Sequence, residues 1–439
     1  MDHDHQTRTP ISPPAASPSA PVDSPSRLDV LDVLRGAAIL GILLYNVGAL
    51  SGYDFVPHAG GAWATWDRGA AFLLEFLVQG KFYSLFSFLF GIGLAVFIER
   101  AAARGVDAVA LFRRRLLGLM AIALVHTTLI WFGDILLTYS LLGFLLVPFL
   151  HRSDERVFRW AVAMLLLPIG LYAAFLLITL ALGSGTQSAG GSGDGGGNMP
   201  AVLVRAVESF QRGAYLDVVR GNIAFTIVGL VRRLILMFFP RMFGMFLLGL
   251  LAARRGIFAD PHAHRALLRR VLAIGCLVGL PCAFAGAWLG DSMMPRQPTP
   301  MGLVEMASES IATPLLSLAY AAGLVLLFQR PIGRRVLLTL APVGRTALSN
   351  YLLHSVAGVT LFYGIGFGLY GRVALVPSLA GAIGFFVVEM IASDAWLRIA
   401  DFGPAEWLWR QFTYGRRFAL FKAGSLGPEP PRREARKRP

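Results

Sequence analysis

His126 and Asp134 are the titratable residues whose positions point most directly to chemistry. The segment His126-Thr-Thr-Leu-Ile-Trp-Phe-Gly-Asp134 places them on either side of a short turn between two strongly apolar stretches. A histidine side chain titrates near neutral pH, so it can act as a base, an acid or a nucleophile, or it can simply bond a neighbouring helix. A carboxylate at the start of a helix can cap that helix and can also orient an imidazole. Ionisable residues at membrane depth commonly handle a substrate, so we predict a functional pair.

Asn46 and His58 lie near the outer end of the first apolar segment. An amide in the outer half of a span can bind a substrate carbonyl or its oxyanion, or it can hold two helices together. Taken alone, His58 has the features of an ordinary surface histidine. Its loop also carries Trp63 and Trp66, which suit the belt of aromatic residues at a membrane interface.

The composition indicates an integral membrane protein. The chain has 439 residues, of which 55% are hydrophobic, and a mean hydropathy of +0.61. These values are too apolar for a soluble domain. We therefore predict an all-α, polytopic transmembrane bundle of about ten spans. The predicted spans lie near residues 31–50, 82–99, 114–131, 135–150, 158–183, 235–253, 267–290, 309–328, 336–363 and 374–397. The 222–234 segment is expected to be an amphipathic helix on the membrane surface.

The arginines predict the orientation of the bundle. They crowd alternate short loops, around residues 100–115, 152–159, 254–270 and 330–335, and such loops face the cytoplasm. Both termini are therefore expected in the cytoplasm. The same topology explains the net charge of +14, because the basic residues lie at helix ends and in the tail and do not form a nucleic-acid-binding surface. The expected location is a bacterial cytoplasmic (inner) membrane.

The chain divides into five predicted regions. Residues 1–26 are expected to be disordered, 27–183 to form a first half of five helices, and 184–200 to be a Gly-rich linker. Residues 201–418 form a second half of about five helices plus the amphipathic segment, and 419–439 form a basic disordered tail. The segment 1–26 lacks the basic start of a signal peptide, so the first span is expected to be retained. Cys276 and Cys282 are too few for a metal site, and none is predicted.

Further polar residues interrupt the last predicted spans. Asn350 and His354 are four residues apart, so they share one face of a helix that also carries Arg345 near its start. This polar stripe must point into the bundle. Glu389 in the last span is expected to pair with Arg345 or Arg241.

Four ordered motifs resemble the YeiB-like membrane proteins, catalogued as domain of unknown function 418. These motifs are residues 28–46, 126–139, 344–351 and 403–414, and the resemblance extends over about residues 27–418. The first helix is also similar to that of transmembrane acyltransferases of the heparan-glucosaminide N-acetyltransferase type, in which Arg-Gly is followed by nine residues and an Asn, as from Arg35 to Asn46 here. In those enzymes the Asn and a following His serve acyl transfer. The nearest match for that His is His58, which lies one residue out of step.

The predicted function is therefore that of an acyltransferase embedded in the membrane. It would move an acyl group from a CoA or lipid donor to an extracytoplasmic acceptor, either a small molecule or a glycan or lipid. His126 would be base or nucleophile, Asp134 would orient it, and Asn46 would bind the carbonyl in a pocket open to the outer face. The residues expected to bind substrate are Asn350, His354, Arg241, Trp131 and Tyr139, and those expected to hold the phosphates of acyl-CoA as co-substrate are Arg35, Arg113, Arg114, Arg115 and Arg345.

Two other functions use the same residues. A transporter or flippase for a polar metabolite or lipid-linked precursor would need buried polar groups for binding or proton coupling. A scaffold without turnover would leave so many polar residues at depth unexplained. The Gly-rich spans would also permit close packing of protomers in a homo-oligomer within the bilayer.

Overall fold

The computed structural model describes residues 29–56, 62–182, 200–235, 238–289 and 298–422, with the side chains of 231–235 left out. Within these ranges the chain is helical, apart from an isolated bridge between Ala400 and Phe421. The helices are α1 Asp29–Ser51, α2 Ala64–Leu77, α3 Lys81–Ala102, α4 Ala108–Val125, α5 Leu136–Leu146, α6 Asp154–Ala181, α7 Ala201–Arg212, α8 Tyr215–Ile235, α9 Phe238–Arg254, α10 Arg265–Ile274, α11 Leu280–Leu289, α12 Pro300–Phe328, α13 Pro331–Leu337, α14 Ala341–Arg345, α15 Ala347–Phe362, α16 Leu375–Ile399 and α17 Pro404–Tyr414.

Several of these helices are long and apolar enough to cross a bilayer. In the described part of the chain there are six, namely Asp29–Ser51, Ala64–Ala102, Asp154–Ala181, Arg265–Leu289, Pro300–Phe328 and Leu375–Ile399. Shorter apolar helices cover Leu136–His151 and Ala347–Phe362. The prediction of an all-helical membrane protein is confirmed. The total of ten spans and the cytoplasmic termini stay predictions.

Helix α1 is the centre of the bundle. Its side chains Leu34, Ala38 and Ile39 are at most 1% exposed, because α3, α14, α15 and α16 surround it. Gly36 and Gly344 let α1 and α14 approach closely: a β-carbon on Gly36 would clash with the Leu340 carbonyl oxygen, and one on Gly344 with a carbonyl of α1. Two of the four sequence motifs therefore meet in one backbone contact.

The region predicted as a single span over residues 336–363 is divided in the structure. It consists of α13, a 3₁₀ turn at Leu338–Leu340, α14 and α15, with a break at Thr346 (φ −110°, ψ 31°). Pro342 lies at the start of α14, where its missing N–H is tolerated. The sequence analysis did not predict these interruptions, because total hydropathy does not reveal where a helix is interrupted.

Helix α2 was not predicted at all. Its charged residues Asp67, Arg68 and Glu75 lower the local hydropathy below that of a span. Asp67 is only 5% exposed, and its Oδ1 accepts a hydrogen bond from the Val376 backbone N–H at 2.9 Å, which caps the start of α16. This carboxylate therefore joins two helices that are far apart in sequence.

The segment predicted to lie on the surface, 222–234, belongs to α8. Val218 and Asn222 of this helix are fully buried, and they face the turn that follows α4. Helix α7 precedes it and buries one side, formed by Leu203, Ala206 and Phe210 among others. This part of the chain covers the α4–α5 turn. The expected Gly-rich linker falls almost entirely outside the described residues, as do the two terminal segments expected to be disordered.

Candidate functional site

A chain of three hydrogen-bonded side chains lies inside the bundle. His126 Nδ1 is 2.8 Å from Asp134 Oδ1, and His126 Nε2 is 2.9 Å from Ser355 Oγ. All three residues are at most 2% exposed. When Asp134 is ionised and the imidazole is neutral, Nδ1 donates to the carboxylate and Nε2 accepts from the serine hydroxyl. This is the order of groups found in serine acyl-transfer triads.

The α4–α5 turn holds the histidine and the acid at this distance. Residues His126–Ile130 form a π-helical turn at the end of α4, and the His126 carbonyl accepts from the Trp131 N–H at 2.9 Å. Asp134 then precedes α5, where its Oδ2 accepts from the Leu137 N–H at 2.6 Å. Since π turns are rare and often occur at functional sites, this turn supports a functional role for His126 and Asp134. Asp134 both caps α5 and contacts the imidazole.

Tyr351 fixes the same turn from α15. Its hydroxyl donates to the Gly133 carbonyl at 3.2 Å and accepts from the Ile135 N–H at 3.1 Å. Its ring also packs on the imidazole of His126, with centroids 5.3 Å apart. Tyr351 and Ser355 are four residues apart and share one face of α15. One helix face therefore supplies both the serine and the residue that holds the turn.

Helix α15 is in turn positioned by α17. The Glu406 carboxylate accepts from the Leu348 N–H at 2.7 Å, and Ser349 donates to it from its N–H at 3.3 Å and its hydroxyl at 2.5 Å. These are N–H groups of the first turn of α15, which have no partner within their own helix. Burial raises the pKa of the Glu406 carboxyl above its usual value of 4.5, although the hydrogen bonds from Ser349 and the backbone act in the opposite direction. The motif around residue 406 thus anchors the helix that carries Ser355.

Asn46 lies at the level of the serine along the bundle. A β-carbon on Gly344 would touch Gly36, and one on Gly358 would touch Leu50, so α1 and α15 run side by side in the same direction. Interpolation between the two contacts places Val47 opposite Ser355, and Asn46 is the residue next to it. The Asn46 side chain is half-buried. The other candidate from this region, His58, lies outside the described residues.

Helix α8 and an aromatic layer cover the three side chains within the described part of the chain. Thr127 bonds Thr226 of α8 at 2.8 Å, and the Asn222 amide donates to the Thr128 and Ile130 carbonyls at 3.3 Å. Aromatic rings of the same layer pack around these contacts. They include Phe55, Trp131, Phe132, Phe210, Phe225, Tyr363 and Tyr370. The pocket open to the outer face stays a prediction, and Trp131, predicted to bind substrate, belongs to the covering layer.

Asn350 and His354 lie on a different face of α15. His354 Nε2 is 2.8 Å from Glu389 Oε2 of α16, and the Asn350 amide donates to Ser393 Oγ at 3.0 Å. The expected pairing of Glu389 with Arg345 or Arg241 was wrong, since the carboxylate reaches the nearer imidazole across the helix interface. The structure does not bring these residues to His126.

Arg241 and Tyr139 also lie apart from the three-residue chain. Arg241 Nη1 donates to Glu309 Oε2 of α12 at 3.1 Å. The Tyr139 hydroxyl donates to the Tyr83 carbonyl at 2.8 Å and lies 2.9 Å from Ser87 Oγ, which joins α5 to α3. Both residues were predicted to bind substrate together with His126. In the structure Arg241 lies between α9 and α12, and Tyr139 lies between α5 and α3.

Some of the arginines predicted to hold CoA lie at the same end of the bundle. Arg115 interacts electrostatically with Arg35 and with Arg410 of α17, and its guanidinium lies 3.8 Å above the Trp409 ring. Arg35 Nη1 bonds Asp32 Oδ1 at 2.7 Å. Arg345 follows the Gly344 contact with α1, so it belongs to the same end of the bundle. Arg113 and Arg114 are exposed on α4.

Ser355 is the member of the hydrogen-bonded chain that the sequence analysis missed. Serine is common in membrane helices, so its type gave no signal, and only its neighbour His354 attracted attention. The spacing of Tyr351 and Ser355 on one helix face was visible. The partner face, however, is formed by a turn more than 200 residues away.

Comparisons with known proteins identify relatives along almost the whole chain. The family model described as "Protein of unknown function (DUF418)" matches residues 252–416, which include Ser355. "Uncharacterized protein YxaH" of Bacillus subtilis (strain 168) is 34% identical over 403 residues, covering 88% of this chain and 94% of the relative. "Uncharacterized protein YeiB" of Escherichia coli (strain K12) is 32% identical over 403 residues, covering 87% and 95%. No solved structure matches the chain. The chain belongs to the YeiB-like DUF418 family of membrane proteins.

Proposed function

We propose that this protein is a membrane-embedded acyltransferase in which Ser355 carries the acyl group between donor and acceptor. The observation that supports this is the hydrogen-bond chain from Asp134 through His126 to Ser355, with distances of 2.8 and 2.9 Å. In such a chain the carboxylate orients the imidazole, and the imidazole activates the hydroxyl as a nucleophile. The sequence-based hypothesis made His126 the base or nucleophile; in the present proposal His126 is the base and Ser355 is the nucleophile.

The reaction has two balanced halves. Ser355 Oγ attacks the acyl carbonyl carbon of the donor while its proton moves to His126 Nε2. The tetrahedral intermediate then expels the thiolate or alkoxide of the donor, which takes that proton, and an acyl ester remains on Ser355. In the second half an acceptor hydroxyl or amine gives its proton to Nε2 and attacks the ester, and Ser355 Oγ recovers the proton as it leaves.

Asn46 is proposed to stabilise the oxyanion. It lies at the level of Ser355, and its amide N–H₂ can donate to the oxygen that gains charge during attack. Arg35 is on the same helix, eleven residues earlier, which corresponds to about 16 Å along α1. An extended pantetheine arm can span that distance, so phosphates of CoA held near Arg35 and Arg115 would allow the thioester to reach the serine.

The membrane arrangement completes the proposal. Ten spans and cytoplasmic termini in a bacterial inner membrane would place the arginine-rich end of α1 inside and the serine nearer the outer face. A cytoplasmic acyl-CoA or a lipid would then serve as donor, and a small molecule, glycan or lipid on the outer side as acceptor. A homo-oligomer is compatible with this arrangement and is not required by it.

Covalent labelling tests the proposal. Full-length protein in nanodiscs would be treated with radiolabelled acetyl-CoA and, separately, with a fluorophosphonate probe, and the modified peptide identified by mass spectrometry. We expect label on Ser355 that is lost in Ser355→Ala. The matched control is Ser378→Ala, because that buried serine bonds only a carbonyl of its own helix, at 2.9 Å. Label that persists in Ser355→Ala, or no label with either reagent, would refute a serine nucleophile.

Transport of a polar metabolite or lipid-linked precursor is the second candidate. The break between α2 and α3 at Gly80 (φ 81°) favours it, because interrupted helices supply binding groups at mid-depth in many transporters. Solute uptake into sealed proteoliposomes distinguishes the two. Uptake that is unchanged in Ser355→Ala would support transport, whereas the acyltransferase requires loss of product formation in the same variant.

A further inference from the structure

A second polar cluster lies where α2 ends and α3 begins. It contains Lys81 at the start of α3, Arg241 in the first turn of α9, and the carboxylates Glu75, Glu305 and Glu309; we call it the mid-depth cluster. A β-carbon on Gly41 of α1 would overlap the Phe82 ring next to Lys81. Because Gly41 is near the middle of α1, the cluster is near the middle of the bundle.

One face of α12 leads into this cluster. Glu305, Glu309, Thr313 and Ser317 follow one another at intervals of four residues and so share a face of the helix. Ser317 Oγ donates to the Lys81 carbonyl at 2.7 Å, and Thr313 Oγ1 is the nearest group to Gly80. A polar stripe therefore runs along α12 toward the break between α2 and α3.

The positive part of the cluster lacks full compensation. Lys81 is only 5% exposed, and its ammonium donates to the Glu75 carbonyl oxygen at 2.7 Å, with no carboxylate within ion-pair distance among the described residues. Arg241 is 7% exposed, and its Nε has no hydrogen-bond partner in the described part of the protein. Leaving a buried ammonium unpaired is costly, so both donors fit an anionic ligand.

The negative part lacks compensation as well. Arg241 pairs with Glu309, but within the described ranges neither Glu75 nor Glu305 has an ion-pair partner. Glu75 lies within electrostatic range of both other glutamates, so the three carboxylates repel one another. All three are half-buried, and the adjacent Leu73 and Trp288 are exposed on the surface. This side of the cluster fits a cationic group that enters between the helices.

We infer that the mid-depth cluster binds a zwitterionic group, with an ammonium between Glu75 and Glu305 and a phosphate or carboxylate against Lys81 and Arg241 Nε. Opposite charges that are incompletely paired within one cluster are complementary to such a ligand, whereas a simple anion or cation would leave half of the cluster unpaired. The same chemistry is present in a free metabolite and in a lipid headgroup. The inference does not depend on acyl transfer at Ser355.

Binding measurements test the inference. Full-length protein would be titrated with phosphoethanolamine and glycine as free zwitterions, and with acetate, inorganic phosphate and ethylamine as singly functional probes, with the melting temperature and heat of binding recorded. Nanodiscs of phosphatidylethanolamine and of phosphatidylglycerol form the lipid arm. We expect stabilisation by free zwitterions, by the zwitterionic lipid, or by both, and the arm that responds identifies the source of the ligand.

Variants locate the binding. Lys81→Met and Glu305→Gln should each weaken zwitterion binding about tenfold or more, since each removes a charged hydrogen-bonding partner. Lys422→Met is the matched control, because Lys422 also donates to a backbone carbonyl, that of Leu397 at 2.6 Å, and lies outside the cluster. Lys81→Met should also raise the melting temperature without ligand. If anions alone bind as well as zwitterions, if neither arm responds, or if Glu305→Gln binds normally, the inference is wrong.

Discussion

Ser355 Oγ lies 2.9 Å from His126 Nε2, although the two residues are 229 positions apart in the chain. The contact joins α15 to the π-helical turn after α4. On its other side the same imidazole bonds Asp134, whose second oxygen caps α5. Three helices therefore have to be packed correctly before the hydrogen-bond chain exists, which makes it a sensitive reporter of both fold and activity.

Asp134→Asn should reduce the rate of acyl transfer roughly 10³- to 10⁴-fold, because an amide facing Nδ1 favours the tautomer that cannot accept the serine proton. Stability should change little, since the amide oxygen can still cap α5. The rate of Ser355 labelling and the melting temperature measure the two effects. Asp67→Asn is the matched control, as that carboxylate also caps a helix, at Val376. Equal rates in wild type and Asp134→Asn would contradict the orienting role.

Ser355→Ala and His126→Ala should not be additive. If the two residues act as a unit, removing the second partner costs almost nothing once the first is gone. We therefore expect the double variant to transfer acyl groups about as slowly as either single variant, in a turnover assay with acetyl-CoA and a trial acceptor. Multiplicative losses would show that the residues work independently.

Glu406→Ala should lower the free energy of unfolding by about 1–3 kcal/mol, because it leaves the first N–H groups of α15 without acceptors. It should also slow labelling of Ser355, whose position depends on that helix. Chemical or thermal unfolding in detergent measures the first effect. Glu155→Ala on the surface of α6 should change stability by no more than about 0.5 kcal/mol. A Glu406→Ala variant as stable as that control would remove Glu406 as the anchor of α15.

Stability should also depend on pH through Glu406. Burial raises the pKa of this carboxyl above its usual value of 4.5, so the folded protein holds the proton at pH values where the unfolded chain has released it. The free energy of unfolding therefore falls as the pH rises from about the usual pKa of 4.5 to the raised pKa of the folded protein. Above that raised pKa the stabilisation by this carboxyl is lost completely. Glu406→Gln should show a flatter profile than wild type over that window. The prediction is wrong if the free energy of unfolding of the wild type rises more steeply with pH than that of Glu406→Gln.

The pair formed by His354 and Glu389 should be structural. Removing one partner leaves a buried polar group alone, at a cost of about 3–5 kcal/mol, whereas His354→Leu combined with Glu389→Met should cost less than either single change. A double-mutant cycle of unfolding free energies measures this. Labelling of Ser355 in the folded double variant should stay close to wild type, because the pair faces α16. If the double variant has normal stability but Ser355 is no longer labelled, His354 takes part in the reaction and its role is not only structural.

The composition and the local sequence patterns were sufficient to predict the class of fold and the contact between His126 and Asp134. Apolar runs predicted the helical membrane protein, and the unusual placement of His126 and Asp134 around a short turn predicted that the two would meet. Both features are local, since hydropathy acts over one span and a turn joins neighbouring residues. Helix α2 escaped prediction for the same reason, as its buried Asp67 carboxylate accepts a hydrogen bond from a distant residue, the N–H of Val376.

The contacts between residues far apart in the sequence depend on how the helices pack, so only the tertiary structure shows them. Ser355 becomes a partner of His126, and Glu389 a partner of His354 in place of an arginine, because α15 presents different faces to two neighbours. Those faces are fixed by the close Gly36 and Gly344 contact and by the Glu406 cap, which join residues far apart in the chain. The sequence by itself determined which residues are polar at membrane depth. The tertiary structure determined which of them touch, since a buried polar group bonds whatever partner the packed helices bring within reach.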